Sequence, residues 1–175
     1  MYWDDQAVIL GTARYRGLAW SNIYWMFSTR YLQSYNPLSW LSYALDYQLW
    51  GLQPSGYHLT NLLLHATNVI LFYFLSLRLL LLAMPRIFKA EKMRLIVSSL
   101  FAALIFGLHP LRVESVAWVS ERRDVLCGFF YLLAILSYIH SQVSEAAQKH
   151  RMRWLSVTLS TFSRFSPNSW RSACL

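Results

Sequence analysis

Cysteine and charge are both scarce in this sequence. Only Cys127 and Cys174 occur in 175 residues, and their spacing suggests neither a disulfide framework nor a zinc site. Charged residues make up 14% of the chain, whereas a soluble domain typically carries about 25%. The sequence also lacks internal repeats, including the helical repeat of about 34 residues that stacks into solenoids. These absences argue against a disulfide-stapled domain, a zinc module and a repeat scaffold.

Apolar residues are abundant instead, and they form long unbroken runs. They account for 56% of the chain, and a helix needs about 20 of them to cross a bilayer. We therefore predict an all-α, polytopic helical membrane protein. The predicted spans cover residues 59–84, 95–108 and 125–139. The second span is short, so we expect its helix to extend into the flanking residues.

The basic residues behind the net charge of +8 predict the orientation of these spans by their positions. Basic residues cluster in short connectors at 86–94 and 149–153, and such connectors remain on the cytoplasmic side. Residues 1–58 and the loop 109–124 then share the opposite, lumenal side, although Arg14, Arg16 and Arg30 count against this. Compact nucleic-acid-binding motifs are missing, so membrane lipid and not nucleic acid is the expected partner.

The two ends of the chain differ in character. Residues 1–58 are rich in aromatic side chains and contain few runs that could cross a membrane. Amphipathic aromatics favour the headgroup level, which predicts helices lying on the membrane surface. Residues 59–140 form the transmembrane region. Residues 141–175 begin with a basic cytoplasmic segment and continue as a serine-rich tail in which Arg164 and Pro167 would abort a fourth span.

The acidic pair Asp4–Asp5 is the first candidate for chemistry. Carboxylates beside a membrane can act as the general base for a sugar acceptor hydroxyl or can hold a cation. The ordinary alternative is a pair of solvated loop residues, and spacing alone does not decide between the two.

Three polar residues interrupt the first span. Asn61, His65 and Asn68 follow one another at intervals of four and three, which places them on one helix face. Polar groups at this depth turn toward protein or toward a wet cavity. Hydrogen bonding between helices and a cavity wall near a substrate are the two interpretations.

The loop HPLRVESVAWVSERRD is the most informative segment. A helix starting at Pro110 would align Glu114, Trp118 and Arg122 on one face. Arginine suits phosphate, so Arg112, Arg122 and Arg123 are candidate phosphate ligands. The alternative is that Arg122 and Arg123 pair with their neighbours Glu121 and Asp124.

The motifs WDD, YNPLSWLSYALDYQLWGLQPSGYHLTNLLLHATN and GLHPLRVESVAWVSERRDVL occur in this order. Together they resemble the transmembrane-and-tetratricopeptide-repeat family of protein O-mannosyltransferases, over roughly residues 2–140. The resemblance implies a partial GT-C-like fold in the endoplasmic reticulum membrane. It also implies transfer of mannose from dolichyl phosphate mannose to Ser or Thr of acceptor proteins.

The resemblance assigns roles to individual residues. Asp4 or Asp5 would act as the base, Arg122 would hold the lipid phosphate and Asp124 would orient it. His109 and Glu114 match motif positions without a specified role. A carboxylate near a phosphate could also bind a divalent cation, but no residue pattern identifies a metal site.

The chain also departs from the family pattern. Family members have a span before the acidic pair and further spans and repeats after about residue 155, so we expect a shortened form, and the resemblance leaves its own enzymatic activity undecided. Two alternatives remain: a non-catalytic membrane scaffold or subunit, and a small transporter whose path is lined by Asn61, His65 and Asn68.

Overall fold

The computed structural model describes residues 5–31, 35–84 and 92–143. The predictions for Asp4, for Cys174, for most of the two basic connectors and for the serine-rich tail lie outside these ranges. The regular elements are helical. They are a π-helical turn at Gln6–Leu10, α1 (Trp20–Ser28), α2 (Pro37–Trp50), α3 (Pro54–Ala83), α4 (Lys92–Leu108), a 3-10 turn at Pro110–Arg112, α5 (Val113–Ala117) and α6 (Arg122–Val143).

Proline and glycine set the boundaries around the turn between α2 and α3. Pro37 and Pro54 occupy the first positions of the two helices, where a missing N–H has no consequence. Gly51 ends α2 with a φ of 62°, and its N–H donates to the carbonyl of Tyr47 at 2.9 Å. This left-handed cap favours glycine and turns the chain directly into α3.

Two helices are long and apolar enough to cross a membrane, namely Pro54–Ala83 and Arg122–Gln142. The helix α4 spans about 25 Å at 1.5 Å per residue, less than the roughly 30 Å of a hydrocarbon core. It qualifies as a span only together with Pro110–Ala117, across a bend of 53°. That the second span includes residues from its flank stays a prediction.

α3 is the central helix of the bundle, and both α4 and α6 pack on it. Asn61 contacts Arg122 and Asn68 contacts Val125, so α3 and α6 run in the same direction. Gly107, near the carboxyl end of α4, contacts His65 of α3. The start of α3, the end of α4 and the start of α6 thus lie at one end of the bundle, the arrangement that the predicted topology requires.

Close contact between α3 and α4 depends on Gly107. A Cβ at this position would lie 2.8 Å from Cγ2 of Val69. Helices in lipid associate largely through such close van der Waals contact between small and larger residues. Gly107 is therefore a packing residue of the bundle.

The aromatic residues of the amino-terminal region divide into two groups. Trp40 and Tyr43 are buried and pack edge to face, with ring centroids 5.8 Å apart. Trp20 and Tyr24 are 80% and 67% exposed. Trp40 and Tyr43 form a protein core at the end of the bundle where α3 and α6 begin, and the location of the region at the membrane surface stays a prediction.

The outer faces of the long helices expose large apolar side chains, the pattern of a surface that contacts lipid. They include Leu62, Leu63, Ile70, Phe74, Leu79, Val97, Phe101, Ile105 and Phe130. The chain is an all-α membrane protein.

Candidate functional site

Asp5 lies inside the protein, against the loop between α5 and α6. Its side chain is almost fully buried, and Oδ1 accepts a hydrogen bond from the backbone N–H of Ser120 at 2.8 Å. Oδ2 is buried and has no hydrogen-bond partner among the described residues. The acidic motif and the loop 109–124 therefore converge, as a shared site requires. The unpartnered oxygen is the one that would have to lie within hydrogen-bond distance of a substrate proton if Asp5 were a general base.

The loop that receives Asp5 is held at three consecutive residues. Nδ2 of Asn61 donates to the carbonyl of Trp118 at 3.0 Å, and the hydroxyl of Tyr43 donates to the carbonyl of Val119 at 2.7 Å. The N–H of Ser120 donates to Asp5. Side chains from α2, from α3 and from the amino-terminal segment thus fix the backbone at residues 118–120.

Arg122, the predicted phosphate ligand, is completely buried. Its Nε donates to Oδ1 of Asn61 at 2.7 Å, and its two terminal nitrogens bind Ser42, Asp46 and the carbonyl of Tyr57. Four of its five N–H donors therefore have protein acceptors. Contact with a phosphate would require the guanidinium to leave these partners, and that role stays a prediction.

Asp46 is the partner that the sequence did not reveal. It forms the ion pair with Arg122, and its Oδ1 accepts from the hydroxyl of Thr60 at 2.7 Å. The guanidinium also lies over the Tyr43 ring, 4.7 Å from its centroid. One signal was available: Asp46 is the sole charged residue of the apolar, aromatic helix α2, and a buried charge requires a partner.

The predicted face of Glu114, Trp118 and Arg122 is wrong. The helix α5 ends at Ala117, and Trp118 has extended backbone angles, φ −89° and ψ 124°. A turn at residues 119–121 follows before α6 begins at Arg122. The break rotates Arg122 into the core, whereas Glu114 remains on the exposed surface.

The other residues predicted for this loop are exposed. Nδ1 of His109 accepts from the N–H of Leu111 at 3.2 Å, which caps the 3-10 turn. Asp124 lies 3.6 Å from Nε of Arg123, which also binds Glu121 at 3.2 Å. Local pairing therefore applies to Arg123 but not to Arg122. The structure brings His109, Glu114 and Asp124 to the same end of the bundle as Asp5, without a direct contact to it.

The polar face of the first span makes hydrogen bonds to neighbouring segments. Nε2 of His65 lies 3.1 Å from the carbonyl oxygen of Gly107, and Nδ2 of Asn68 donates to the carbonyl of Val125 at 2.9 Å. Asn61 bonds both the loop and Arg122. These contacts are those of the first interpretation, hydrogen bonding between helices; the cavity wall stays a prediction.

Burial also changes the acidity of Tyr43 and Glu121. It raises the pKa of the Tyr43 hydroxyl above its ordinary value, against the opposing effect of Arg122. It likewise raises the pKa of Glu121, with Arg123 acting in the opposite direction. Tyr43 thus remains a hydroxyl donor to Val119 at physiological pH. The described residues contain no group of three or more His, Cys, Asp or Glu that could hold a metal ion.

Several proteins similar in sequence to this chain carry the name protein O-mannosyl-transferase. The chain is 32% identical to human protein O-mannosyl-transferase TMTC3 over 144 residues, which cover 81% of this chain and 14% of that protein. It is 35% identical to human TMTC4 over 128 residues, which cover 70% of this chain and 17% of TMTC4. The chain is 38% identical to tmtc2 of Xenopus laevis over 107 residues, which cover 61% of this chain and 11% of that protein. No family model matches the chain, and no solved structure does.

Proposed function

Because the chain belongs to the TMTC family of protein O-mannosyl-transferases, we propose that it carries the acidic part of a mannosyltransferase site. The donor is dolichyl phosphate mannose, the acceptor is a Ser or Thr hydroxyl of a protein, and the membrane is that of the endoplasmic reticulum. The chain spans about one-seventh of the relative TMTC3, so transfer by this chain without the rest of such a protein is itself part of the proposal.

The observation that carries this proposal is the geometry of Asp5. One oxygen is fixed by the Ser120 N–H, and the other is buried without a partner among the described residues. In the proposed step this carboxylate accepts the proton of the acceptor hydroxyl. The hydroxyl oxygen forms a bond to the anomeric carbon, the bond from that carbon to the phosphate oxygen breaks, and dolichyl phosphate leaves with the electron pair. Asp4 is the alternative base.

The donor phosphate needs cations at the same end of the bundle. Arg112 and Arg123 are exposed there, and the guanidinium of Arg112 lies 4.7 Å from the centroid of the Phe106 ring, at the carboxyl end of α4. Arginine binds phosphate oxygens through paired N–H groups. We therefore assign phosphate contact to Arg112 and Arg123, with Asp124 beside them to orient Arg123. A divalent cation near the phosphate would need ligands beyond the described residues, which contain no group of three or more His, Cys, Asp or Glu that could hold one.

The test is mannose transfer from labelled dolichyl phosphate mannose by the chain in microsomes. Asp5→Asn removes the base but keeps an oxygen that accepts from Ser120, so the loop contact persists. We expect transfer to fall at least about a hundredfold in Asp5→Asn, in the range of general base catalysis. If Asp4 is the base, the same fall occurs in Asp4→Asn instead. The control Ser141→Ala alters an exposed position near the far end of α6 and should transfer normally.

Full transfer by the double variant Asp4→Asn with Asp5→Asn would overturn the assignment of the base. A wild-type chain that is inserted and stable but transfers no mannose would overturn the proposal that these residues suffice for activity. It would favour the alternative of a non-catalytic subunit.

A further inference from the structure

Arg122 and Asp46 are two deeply buried charges among the described residues, and the proposed transfer chemistry uses neither. The side chains expose 0% and 4% of their surface, respectively. They belong to different helices, α6 and α2, and their ion pair lies in the layer of residues directly behind the loop 118–121. Burying two charges is costly, and in some proteins such a pair fixes one arrangement of the chain.

Arg122 of the ion pair contacts both side chains through which α2 and α3 hold the loop, Tyr43 and Asn61. Nε of Arg122 binds Oδ1 of Asn61, which orients the Asn61 amide so that Nδ2 faces the carbonyl of Trp118. The face of the same guanidinium lies on the Tyr43 ring. The hydroxyl of that ring binds the carbonyl of Val119. The position of Arg122 therefore determines where two consecutive loop carbonyls find their donors.

The next backbone group in the loop is the one that orients Asp5. The N–H of Ser120 follows the carbonyl of Val119 directly along the chain, and it donates to Asp5 Oδ1. A shift of the loop would move this donor and release the carboxylate. A misplacement of about 1 Å at a reacting group can lower a rate by about a hundredfold.

We propose that Asp46 and Arg122 are positioning residues of the mannosyltransferase site, which orient Asp5 through Asn61, Tyr43 and the loop 118–121. The inference rests on the proposed function. It assigns Arg122 a different task from the phosphate contact that its motif implies, and it includes Asp46, which that motif does not contain.

The two roles of Arg122 predict different kinetics. A positioning pair lowers kcat when either member changes and leaves KM for the lipid donor unaltered. A phosphate ligand raises that KM when Arg122 changes, and Asp46 has no such effect. We expect Arg122→Lys and Asp46→Asn each to lower kcat by about tenfold to a hundredfold, with the donor KM within about twofold of the wild type. A large rise of KM in Arg122→Lys alone would overturn the inference.

A milder variant provides for the case in which these two fail to fold. Tyr43→Phe keeps the ring under Arg122 and removes only the hydroxyl that binds Val119. It should lower kcat without changing the donor KM, and wild-type rates in a folded Tyr43→Phe protein would contradict the proposed relay.

Thiol labelling tests the loop without any need for activity. Ser120→Cys, in a background of Cys127→Ala and Cys174→Ala, reports access to the loop through its rate of reaction with maleimide in microsomes. Tyr43→Phe should raise this rate about fivefold, as expected for loss of one net hydrogen bond, and Asp46→Asn should raise it further.

Unchanged labelling in both variants would overturn the positioning role, whatever the enzyme does. Absence of transfer from the wild-type chain would instead overturn the proposed function and the catalytic part of this inference. Raised labelling would then still support the part that concerns the loop.

Discussion

The guanidinium of Arg122 is paired with the carboxylate of Asp46, 76 positions earlier in the chain, inside a layer that solvent does not reach. This ion pair joins the helix before the first span to the first turn of the third. It also places a charge directly behind the loop that holds Asp5. The stability of the whole end of the bundle should therefore depend on it.

Removing one member of the pair should destabilise the protein strongly. Asp46→Ala leaves Arg122 buried without its countercharge, and we expect a loss of about 3–5 kcal/mol in the free energy of unfolding. The apolar double variant Asp46→Leu with Arg122→Met should recover much of this loss, because no unpaired charge remains. Thermal unfolding in detergent micelles gives both values. A double variant less stable than Asp46→Ala would contradict the expectation.

The asparagines of α3 should differ in their contributions although they share a helix face. Asn68→Ala removes one bond to a backbone carbonyl, and such bonds in membranes contribute on average about 0.6 kcal/mol. Asn61→Ala also leaves Arg122 and the loop without partners, so its cost should be at least twice as large. Unfolding in the same micelles compares the two. Equal losses would show that the Asn61 contacts add nothing specific.

The contact between Gly107 and Val69 predicts a compensating pair. Gly107→Ala introduces a methyl group within 2.8 Å of Val69, and the β-branched valine has few alternative rotamers. We expect the midpoint of thermal unfolding to fall. Adding Val69→Ala should restore most of it, and Val69→Ala alone serves as the control. If the midpoint of the double variant only equals the sum of the two single effects, the contact between Gly107 and Val69 is not the cause of the lower midpoint.

Glu121 predicts a dependence of stability on pH. Burial raises its pKa in the folded protein more than Arg123 lowers it. A carboxyl whose pKa is raised by folding contributes stability below its unfolded value, near 4.3, and this contribution is lost as pH rises through the folded value. The free energy of unfolding of Glu121→Gln should therefore increase relative to that of the wild type as the pH rises above about 4.3 toward neutrality.

Unfolding midpoints measured across that range provide the check. Arg123→Gln removes the charge that lowers the pKa of Glu121. The loss of stability with rising pH should therefore be steeper in Arg123→Gln than in the wild type. A constant difference between wild type and Glu121→Gln at every pH would contradict the prediction.

Much of the fold follows from local features of the sequence. The long apolar run after Leu59 predicts α3, and the prolines at 37 and 54 begin helices because the first helical position tolerates them. Charge bias in the connectors predicts that the acidic motif and the loop 109–124 share one side. Asp5 and Ser120 do meet there.

Other features depend on contacts between distant parts of the chain. Arg122 has acidic neighbours at positions 121 and 124, so nothing local indicates that its partner is Asp46. Helical spacing extended α5 through Trp118, whereas Asn61 binds the carbonyl of Trp118 in an extended conformation. The burial of Trp40 and Tyr43 likewise depends on packing against Tyr57 and Val119, which no window of sequence contains.

The pairing of Arg122 with Asp46 has a consequence for the order of assembly during synthesis. α2 and α3 leave the ribosome before α6, so an acceptor for the arginine already exists when the third span is inserted. Until that contact forms, α6 begins with an uncompensated charge at the edge of the hydrocarbon region. We therefore expect α6 to dock on the amino-terminal aromatic region, and a nascent chain that lacks α2 should retain α6 in an insertion intermediate.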